Sequence, residues 1–222
     1  MRLLKKVASC LPPALQAELK RIHYGRQIRR ASFRTSEPEF EILPRLVRPG
    51  DWVIDIGANV GHYTMRLSEL VGSHGRVIAL EPVPATFALL AANVQLFPFA
   101  NVTLMNVAAS NSLGVIGMSI PRHSSGLTNY YQAYLSSEGK TAVSVLMMPL
   151  DSLRIAKRVG LVKIDAEGHE LFVLRGMDDL LREHHPTLIV ETDSREVVDT
   201  LVSLGYRAER LADSPNLLFV AN

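Results

Sequence analysis

The chain has 222 residues, of which 47% are hydrophobic and 21% charged, and its formal net charge is +2. These values are typical of a globular protein with one main core, and the absence of any apolar run of about 18 residues excludes a membrane-spanning helix. The single cysteine, Cys10, excludes an intramolecular disulfide framework and a cysteine-rich zinc module, and we expect a cytoplasmic, non-secreted protein.

Positive charge is concentrated at the N-terminus. Residues 1–50 contain eleven Lys or Arg and four Glu, so the remainder of the chain is net negative. We define residues 1–49 as a basic helical N-terminal arm. Such an arm could contact an anionic membrane surface, a phosphate-bearing partner or a glycosyltransferase, although charged segments are more often solvated.

Two helices are predicted within this arm. Pro12 and Pro13 suit a helical first turn, and Leu15, Leu19 and Ile22 recur at the spacing of one helix face. Residues 24–40 are poorly patterned and are expected to form a connector. A second short helix is predicted from Glu39 to Leu46, followed by a turn.

From residue 50 onward, strand patterns alternate with helix patterns. Strands are predicted at 52–56, 76–80, 102–107, 161–165 and 187–191, and helices at about 61–71, 84–96, 169–182 and 194–204. This alternation predicts right-handed crossovers and a parallel sheet. Residues 206–211 and 217–222 indicate an antiparallel hairpin. We therefore predict that residues 50–222 form an α/β domain with a doubly wound, mostly parallel sheet and an antiparallel C-terminal strand.

Ligands of such sheets bind beyond the carboxyl ends of the strands. The first strand ends in 55-DIGANVG-61, where Gly57 and Gly61 permit a tight turn and close approach of a ligand to the backbone. Asn59 occupies the position where a dinucleotide-binding motif has its second glycine. The turn therefore disfavours NAD.

The next two strand ends indicate an adenosine. Glu81 follows the second strand twenty residues beyond Gly61, which places an acidic side chain to accept both hydroxyl protons of a ribose. Asn106 ends the third strand and could offer its amide to the adenine edge, although a turn-forming role is equally compatible with this position.

Titratable residues cluster at the following strand ends. The fourth strand ends in KIDAEGHE, which brings together Lys163, Asp165, Glu167 and His169. Glu191 ends the fifth strand, which should lie beside the fourth. Adjacent carboxylates raise at least one pKa, which suits proton transfer or metal binding. A loop cluster held by salt bridges is the alternative.

Five segments, in this order, resemble the FkbM-type family of S-adenosylmethionine-dependent methyltransferases: 55-DIGANVG-61, 81-EP-82, 106-NVAAS-110, 161-LVKIDAEGHELFVLRG-176 and 187-TLIVET-192. The resemblance covers about residues 50–211. It implies the Rossmann-like class I methyltransferase fold, a seven-stranded sheet of order 3-2-1-4-5-7-6 with strand 7 antiparallel. It also implies methylation of a hydroxyl on a sugar, glycan, lipid or polyketide-like acceptor. The chain departs from the family pattern at His169, where a small residue is usual.

The resemblance also implies how S-adenosylmethionine is held. Asp55 would orient the turn and the amino group of the methionine portion, and Glu81 would hold the ribose. The full set of expected cofactor contacts is Asp55, Gly57, Ala58, Asn59, Gly61, Glu81 and Asn106.

A methyl group on a sulfonium needs little activation, so catalysis reduces to aligning the acceptor oxygen and removing its proton. Asp165 is the first candidate for the base, Glu167 the second and His169 the third. As an alternative, Mg²⁺ held by Asp165, Glu167 and Glu191 could bind a substrate diol.

The polar residues 121–140 lie between strand patterns at 114–120 and 141–148. A long loop within a compact domain is more often functional than not. We expect acceptor contacts from Arg122, His123 and Tyr130, together with Glu191. A connector without a ligand is the alternative.

Two other functions stay open from the sequence alone. One is an NAD-linked oxidoreductase of similar sheet topology. The other is a non-catalytic nucleic-acid-binding or membrane-binding module that uses the basic arm.

Overall fold

We describe a computed structural model of the chain, which covers residues 11–120, 134–136 and 143–222. Three of the predicted acceptor contacts, Arg122, His123 and Tyr130, lie outside the described residues, as does Cys10.

The described residues form eleven strands and seven α-helices. The strands are β1 (Trp52–Ile56), β2 (Arg76–Leu80), β3 (Val102–Met105), β4 (Ala108–Ala109), β5 (Gly114–Ser119), β6 (Tyr134–Ser136), β7 (Val143–Met148), β8 (Val159–Ile164), β9 (Thr187–Glu191), β10 (Tyr206–Arg210) and β11 (Asn216–Ala221). The helices are α1 (Pro13–Arg29), α2 (Pro38–Leu46), α3 (His62–Val71), α4 (Pro84–Val94), α5 (Glu170–Arg175), α6 (Asp178–His184) and α7 (Arg195–Ser203). None of these helices combines the length and the apolar character needed to cross a membrane.

A seven-stranded sheet of order β10-β11-β9-β8-β1-β2-β3 forms the centre of the molecule. All neighbouring strands are parallel except β11, which is antiparallel to both β9 and β10. This order confirms the predicted α/β fold and the class I methyltransferase topology that the resemblance implied. The carboxyl ends of β1, β2, β8 and β9 therefore lie together at one edge.

The central strands are apolar on both faces because helices cover both sides of the sheet. Ile54 and Ile78 pack into one hydrophobic cluster, while their neighbours Val53 and Val77 pack into another. The near-continuous apolar strands seen in the sequence follow from this two-sided burial.

The predicted single helix over 169–182 is wrong in one respect, because the chain breaks into α5 and α6 around Gly176. The backbone here passes so close to the carbonyl of Ser110 that a Cβ atom on Gly176 would lie 1.8 Å from that oxygen. Two short helices accommodate this approach where a straight helix would not.

The strands predicted around the polar stretch pair with each other in a second sheet of order β4-β7-β5-β6. Its buried side chains Ala108, Met118 and Val145 pack against Val83, which lies three residues beyond the end of β2. The small sheet therefore covers one side of the central sheet's carboxyl edge.

Helix α1 forms as predicted but continues to Arg29, so the connector expected at 24–40 begins six residues later than predicted. The apolar stripe that predicted the helix faces away from the protein. Leu15, Leu19 and Ile22 are 46%, 45% and 38% exposed. The helix instead packs through Tyr24 and Ile28, which join a cluster with residues of α3 and α4. The helical spacing was correct, but it could not show which side meets the core.

Helix α2 belongs to the packed body of the protein. Phe40 and Leu43 are buried in the same cluster as residues of β1 and β2. Glu39 is fully buried, and its carboxylate accepts hydrogen bonds from Ser214 Oγ (2.7 Å) and from the side-chain amide of Asn216. The core therefore extends to the N-terminal side of residue 50.

The Glu39 contacts lead to a stability prediction. Glu39→Ala should lower the free energy of unfolding by about 2–4 kcal/mol, because it leaves the buried Asn216 and the half-buried Ser214 without their acceptor. Urea unfolding followed by circular dichroism would measure this loss. Glu41→Ala, an exposed residue of the same helix, is the matched control and should change stability by less than about 0.5 kcal/mol. Equal effects of the two substitutions would contradict the assignment.

Candidate functional site

The turn after β1 brings two strand ends into close contact. Gly57 has φ of 75°, and a Cβ atom there would lie 2.0 Å from the carbonyl oxygen of Asp165 at the end of β8. Gly61 has φ of 99°, and its Cβ would lie 2.7 Å from Leu90 Cδ1. Gly57 therefore permits the turn after β1 to pack directly against the end of β8, whereas Gly61 permits α3 to begin against α4.

Glu81 lies at the end of β2 and is only 5% exposed. Its Oε2 accepts the backbone N–H of Asn59 and its Oε1 that of Val83, both at 2.9 Å. Burial raises the pKa of Glu81 to about 7, although both hydrogen bonds favour the carboxylate. Each oxygen keeps a second lone pair that can accept a ligand hydroxyl.

The Asn106 side chain holds the backbone beside Glu81. Its Nδ2 donates to the carbonyls of Glu81 (2.8 Å) and Pro82 (3.0 Å). Both amide hydrogens are thereby used, and Asn106 does not line the cleft described below. The structure therefore places this side chain as a support for the turn that carries Glu81.

A cleft of about 600 Å³ opens at this edge. Six of the predicted cofactor or catalytic residues line it together: Gly57, Asn59, Glu81, Asp165, Glu167 and His169. Its apolar walls are Ile56, Leu80, Val83, Val107, Ala108, Ala109 and Met118. The cleft thus offers both polar groups and apolar walls, and a nucleoside has both kinds of surface.

Asp55 lies beneath the turn and is fully buried. Its Oδ2 accepts the hydroxyl of Thr64 at 2.6 Å, and its Oδ1 has no hydrogen-bond partner. Burial raises the pKa of Asp55, and the nearby Lys163 ammonium opposes that shift. Asp55 and Ala58 do not line the cleft, so the structure places them behind the residues that do.

Lys163 is the buried cation of the site. Its Nζ donates to Asp165 Oδ2 at 3.1 Å and lies 4.8 Å from the centre of the Tyr63 ring. The register of β1 and β8 sets Lys163 beside Asp55. Burial disfavours its charge, but Asp165 and Asp55 outweigh burial, so the pKa of Lys163 is raised. The ammonium thus balances two carboxylates at the strand ends.

The N-terminal region also reaches this network, which the sequence analysis missed. The hydroxyl of Tyr63 donates to Glu37 Oε2 at 2.6 Å, and the same Tyr63 ring contacts the ammonium of Lys163. Burial raises the pKa of Tyr63, and the neighbouring Glu37 carboxylate raises it further. The Tyr63 hydroxyl therefore stays protonated and donates the hydrogen bond. Glu37 immediately precedes α2, in a segment whose sequence indicated only a connector.

A second, more open cleft of about 990 Å³ adjoins the first through Glu167. Glu191 lines it beside Thr192, Asp193, Ser194 and Arg210. Strands β8 and β9 are neighbours, as predicted. Partial burial, reinforced by Asp165 and Glu191, raises the pKa of Glu167 to about 7. Partial burial and Asp165 also raise the pKa of Glu191.

His169 is anchored at the rim of the first cleft. Its Nε2 lies 2.9 Å from Ser110 Oγ, and its ring stacks on Phe172 at 4.6 Å between centroids. Partial burial lowers the pKa of His169, which favours the neutral imidazole. The side chain is therefore already engaged on two sides.

Within the described ranges, no group of three His, Cys, Asp or Glu side chains has an arrangement that could hold a metal ion. The geometry thus gives no support to the expected Mg²⁺ ion at Asp165, Glu167 and Glu191.

Comparison with known proteins gives a consistent result. The family model of the methyltransferase FkbM domain matches residues 55–208. Methyltransferase 1 of Beauveria bassiana is 24% identical over 147 residues, covering 58% of this chain and 59% of that protein. The hexuronic acid methyltransferase AglP of Haloferax volcanii is 28% identical over 134 residues, covering 60% of this chain and 52% of that protein. The chain therefore spans between half and three fifths of the length of these two relatives.

A solved structure shares the fold. The crystal structure of a methyltransferase FkbM from Methylobacillus flagellatus aligns with a TM-score of 0.58 and 17% identity, covering 81% of this chain and 50% of that one. At this level of identity the match shows a common fold.

The Lys163 network leads to a second prediction. Lys163→Met should destabilise the protein by about 3–5 kcal/mol, because it leaves the buried Asp55 without a counter-charge. The pKa of Asp55 should rise further, so the folded state keeps a proton that the unfolded state releases. The loss should therefore be smaller at about pH 5 than at about pH 8. Unfolding titrations at both pH values test this, with exposed Lys157→Met as the control. A loss that does not depend on pH would contradict it.

Proposed function

Because the chain belongs to the FkbM methyltransferase family, we propose that it transfers a methyl group from S-adenosylmethionine to a hydroxyl of a sugar, glycan, lipid or polyketide-like acceptor. The observation that carries this proposal is the cleft in which Glu81 and Gly57 face Asp165 and Glu167. The hexuronic acid methyltransferase among the relatives favours a sugar acceptor. The single cysteine is compatible with the cytoplasm as the place of the reaction.

The lining of the cleft matches S-adenosylmethionine in hydrogen bonding and in apolar surface. Glu81 is fixed by two backbone N–H groups and keeps one lone pair on each oxygen for the two ribose hydroxyls. Leu80, Val107 and Met118 provide apolar surface for the adenine. Gly57 lines the cleft with its backbone alone, because a Cβ atom there would collide with the Asp165 carbonyl.

S-adenosylmethionine, when bound, supplies an electrophilic methyl group, so the protein has to position the acceptor oxygen and accept its proton. We assign the base to Glu167, because it lies where the two clefts meet and its pKa of about 7 suits proton transfer near neutral pH. This assignment reverses the order expected from the sequence. Asp165 is tied to Lys163, so we assign it to orienting the acceptor hydroxyl. His169, held by Ser110 and Phe172, is assigned to the cleft wall.

The family match and Asn59 speak against the NAD-linked alternative, because a dinucleotide enzyme needs bare backbone where Asn59 stands. A protein that only binds nucleic acid through its basic arm would not need the cleft that contains Glu81.

Cofactor binding should depend on pH through Glu81. Only the carboxylate accepts both ribose hydroxyls, so the affinity for S-adenosylhomocysteine should fall as the pH drops below about 7. One pH unit below this pKa, about a tenth of the group is ionised, which predicts up to a tenfold loss. Glu81→Gln should weaken binding by about 1–3 kcal/mol and remove the pH dependence.

Isothermal titration calorimetry with S-adenosylhomocysteine, and with NAD as the negative control, measures this effect. The exposed Glu183→Gln is the matched substitution and should bind as the wild type does. Wild-type affinity in Glu81→Gln would remove Glu81 from the cofactor site.

The base assignment predicts a second effect. Glu167→Gln should lower kcat by about 10²–10⁴-fold and, at saturating S-adenosylmethionine, abolish the rise of kcat with pH around 7, because the neutral amide cannot accept the acceptor's proton. Labelled S-adenosylmethionine, presented with a panel of uronic acids, oligosaccharides and lipid-linked sugars, provides the assay. S-adenosylhomocysteine affinity should be unchanged. Asp165→Asn is the comparison variant, and its kcat should still rise with pH around 7. Activity within about fivefold of wild type in Glu167→Gln would disprove the assignment.

A further inference from the structure

Helix α1 carries an apolar stripe that no part of the described chain covers. Leu15, Leu19 and Ile22 follow one another along its solvent side, each more than one third exposed. Leu96, which follows α4, is 39% exposed and lies against Gly25 of α1, where a Cβ atom would be 3.4 Å from Leu96 Cδ1. Four aliphatic side chains on one surface are unusual for a region outside the core.

Arginines continue this stripe. Arg26 follows Ile22 at the same helical spacing, and Arg29 and Arg30 flank the end of α1. In the described part of the chain, no carboxylate forms an ion pair with any of these three side chains. Over residues 1–34 the sequence has nine Lys or Arg and a single Glu. We call the surface formed by Leu15, Leu19, Ile22, Leu96, Arg26 and Arg29 the α1 face.

Between α1 and the end of α4, the α1 face is concave. Arg21, Arg26 and Arg29 surround Ile22 and Leu96 in a groove of about 920 Å³. Arg21 is engaged by Glu18 at 2.7 Å, which leaves Arg26 and Arg29 as the cations without a carboxylate partner. The groove thus places positive charge beside an apolar floor.

We propose that the α1 face docks the protein on the surface of an anionic lipid bilayer. Leu15 and Leu19, which lie outside the groove, would enter the boundary between headgroups and acyl chains, and the arginines around the groove would contact lipid phosphates. This inference concerns a surface separate from the cofactor cleft, and it stands independently of the proposed reaction. It makes an anionic lipid surface the proposed partner of the basic arm.

Two other occupants fit the α1 face less well. A nucleic-acid backbone would use the arginines but would leave four aliphatic side chains in water. A second copy of the chain would bring two sets of unpaired arginines together. An anionic bilayer matches both the charge and the apolar stripe.

Vesicle binding tests the proposal with the full-length chain. Wild-type protein should cosediment with vesicles of phosphatidylcholine and phosphatidylglycerol, should bind pure phosphatidylcholine vesicles much more weakly, and should be released by salt. Arg26→Gln/Arg29→Gln/Arg30→Gln should weaken binding on the order of 100-fold, because each basic side chain near an anionic surface contributes roughly a fivefold factor. Leu15→Ser/Leu19→Ser/Ile22→Ser should weaken it by about tenfold or more.

Matched controls separate the α1 face from overall charge and exposure. Arg45→Gln/Arg48→Gln/Arg158→Gln removes the same charge from exposed positions elsewhere, and Leu113→Ser changes an aliphatic side chain that is 73% exposed. Both controls should bind anionic vesicles as the wild type does. All variants should keep wild-type unfolding curves and S-adenosylhomocysteine affinity, since none changes the cleft.

Three results would overturn the proposal. Equal binding of the α1-face variants and their controls would show that the surface is not used. Tight binding of single-stranded RNA with no binding of anionic vesicles would assign the arginines to nucleic acid. A wild-type dimer in analytical ultracentrifugation that dissociates in the serine variant, without vesicle binding, would assign the stripe to self-association.

Discussion

The buried ammonium of Lys163 is the interaction on which the carboxyl edge of the sheet depends. It stands between Asp55 at the end of β1 and Asp165 at the end of β8, and it supplies the counter-charge that the fully buried Asp55 carboxylate needs in order to ionise. The ring of Tyr63 shields the cation on one further side. With this charge in place, the two strand ends can approach closely enough for Gly57 to contact the Asp165 carbonyl.

This arrangement separates structural carboxylates from those that can react. Asp55 is enclosed and supports the turn, whereas Glu81 and Glu167 face the cleft with pKa values of about 7. Their protonation is therefore variable near neutral pH, while the charge of Lys163 is constant. Because the folded pKa of Glu81 is raised, its protonated form stabilises the folded protein at low pH, and this contribution is lost as the pH rises through about 7. Ligand hydrogen bonds to the carboxylate can compensate for that loss.

Local patterns in the sequence were sufficient for the mostly parallel α/β sheet, the glycine turn and the adjacency of β8 and β9, because alternation of elements and strand-end residues are properties of neighbours in the chain. The strand order came from the resemblance to the FkbM-type family. Local patterns were insufficient where residues distant in the sequence determine the packing or the hydrogen bonds. The face of α1 that meets the core could not be assigned from the helical spacing, because Leu15 and Tyr24 belong to two different apolar stripes. The roles of Glu37 and Glu39 could not be foreseen, because their partners are far away in sequence.

The contact between Glu39 and Asn216 spans 177 residues, so it also orders events during synthesis. At about 5–20 residues per second, the ribosome needs roughly 9–35 s after making Glu39 before it supplies the partner. During that interval the Glu39 carboxylate of α2 lacks the side chains that donate hydrogen bonds to it in the native fold. Asn216 lies in β11, which also joins the central sheet between β9 and β10. The central sheet and the burial of Glu39 are therefore both completed only after β11 has been made.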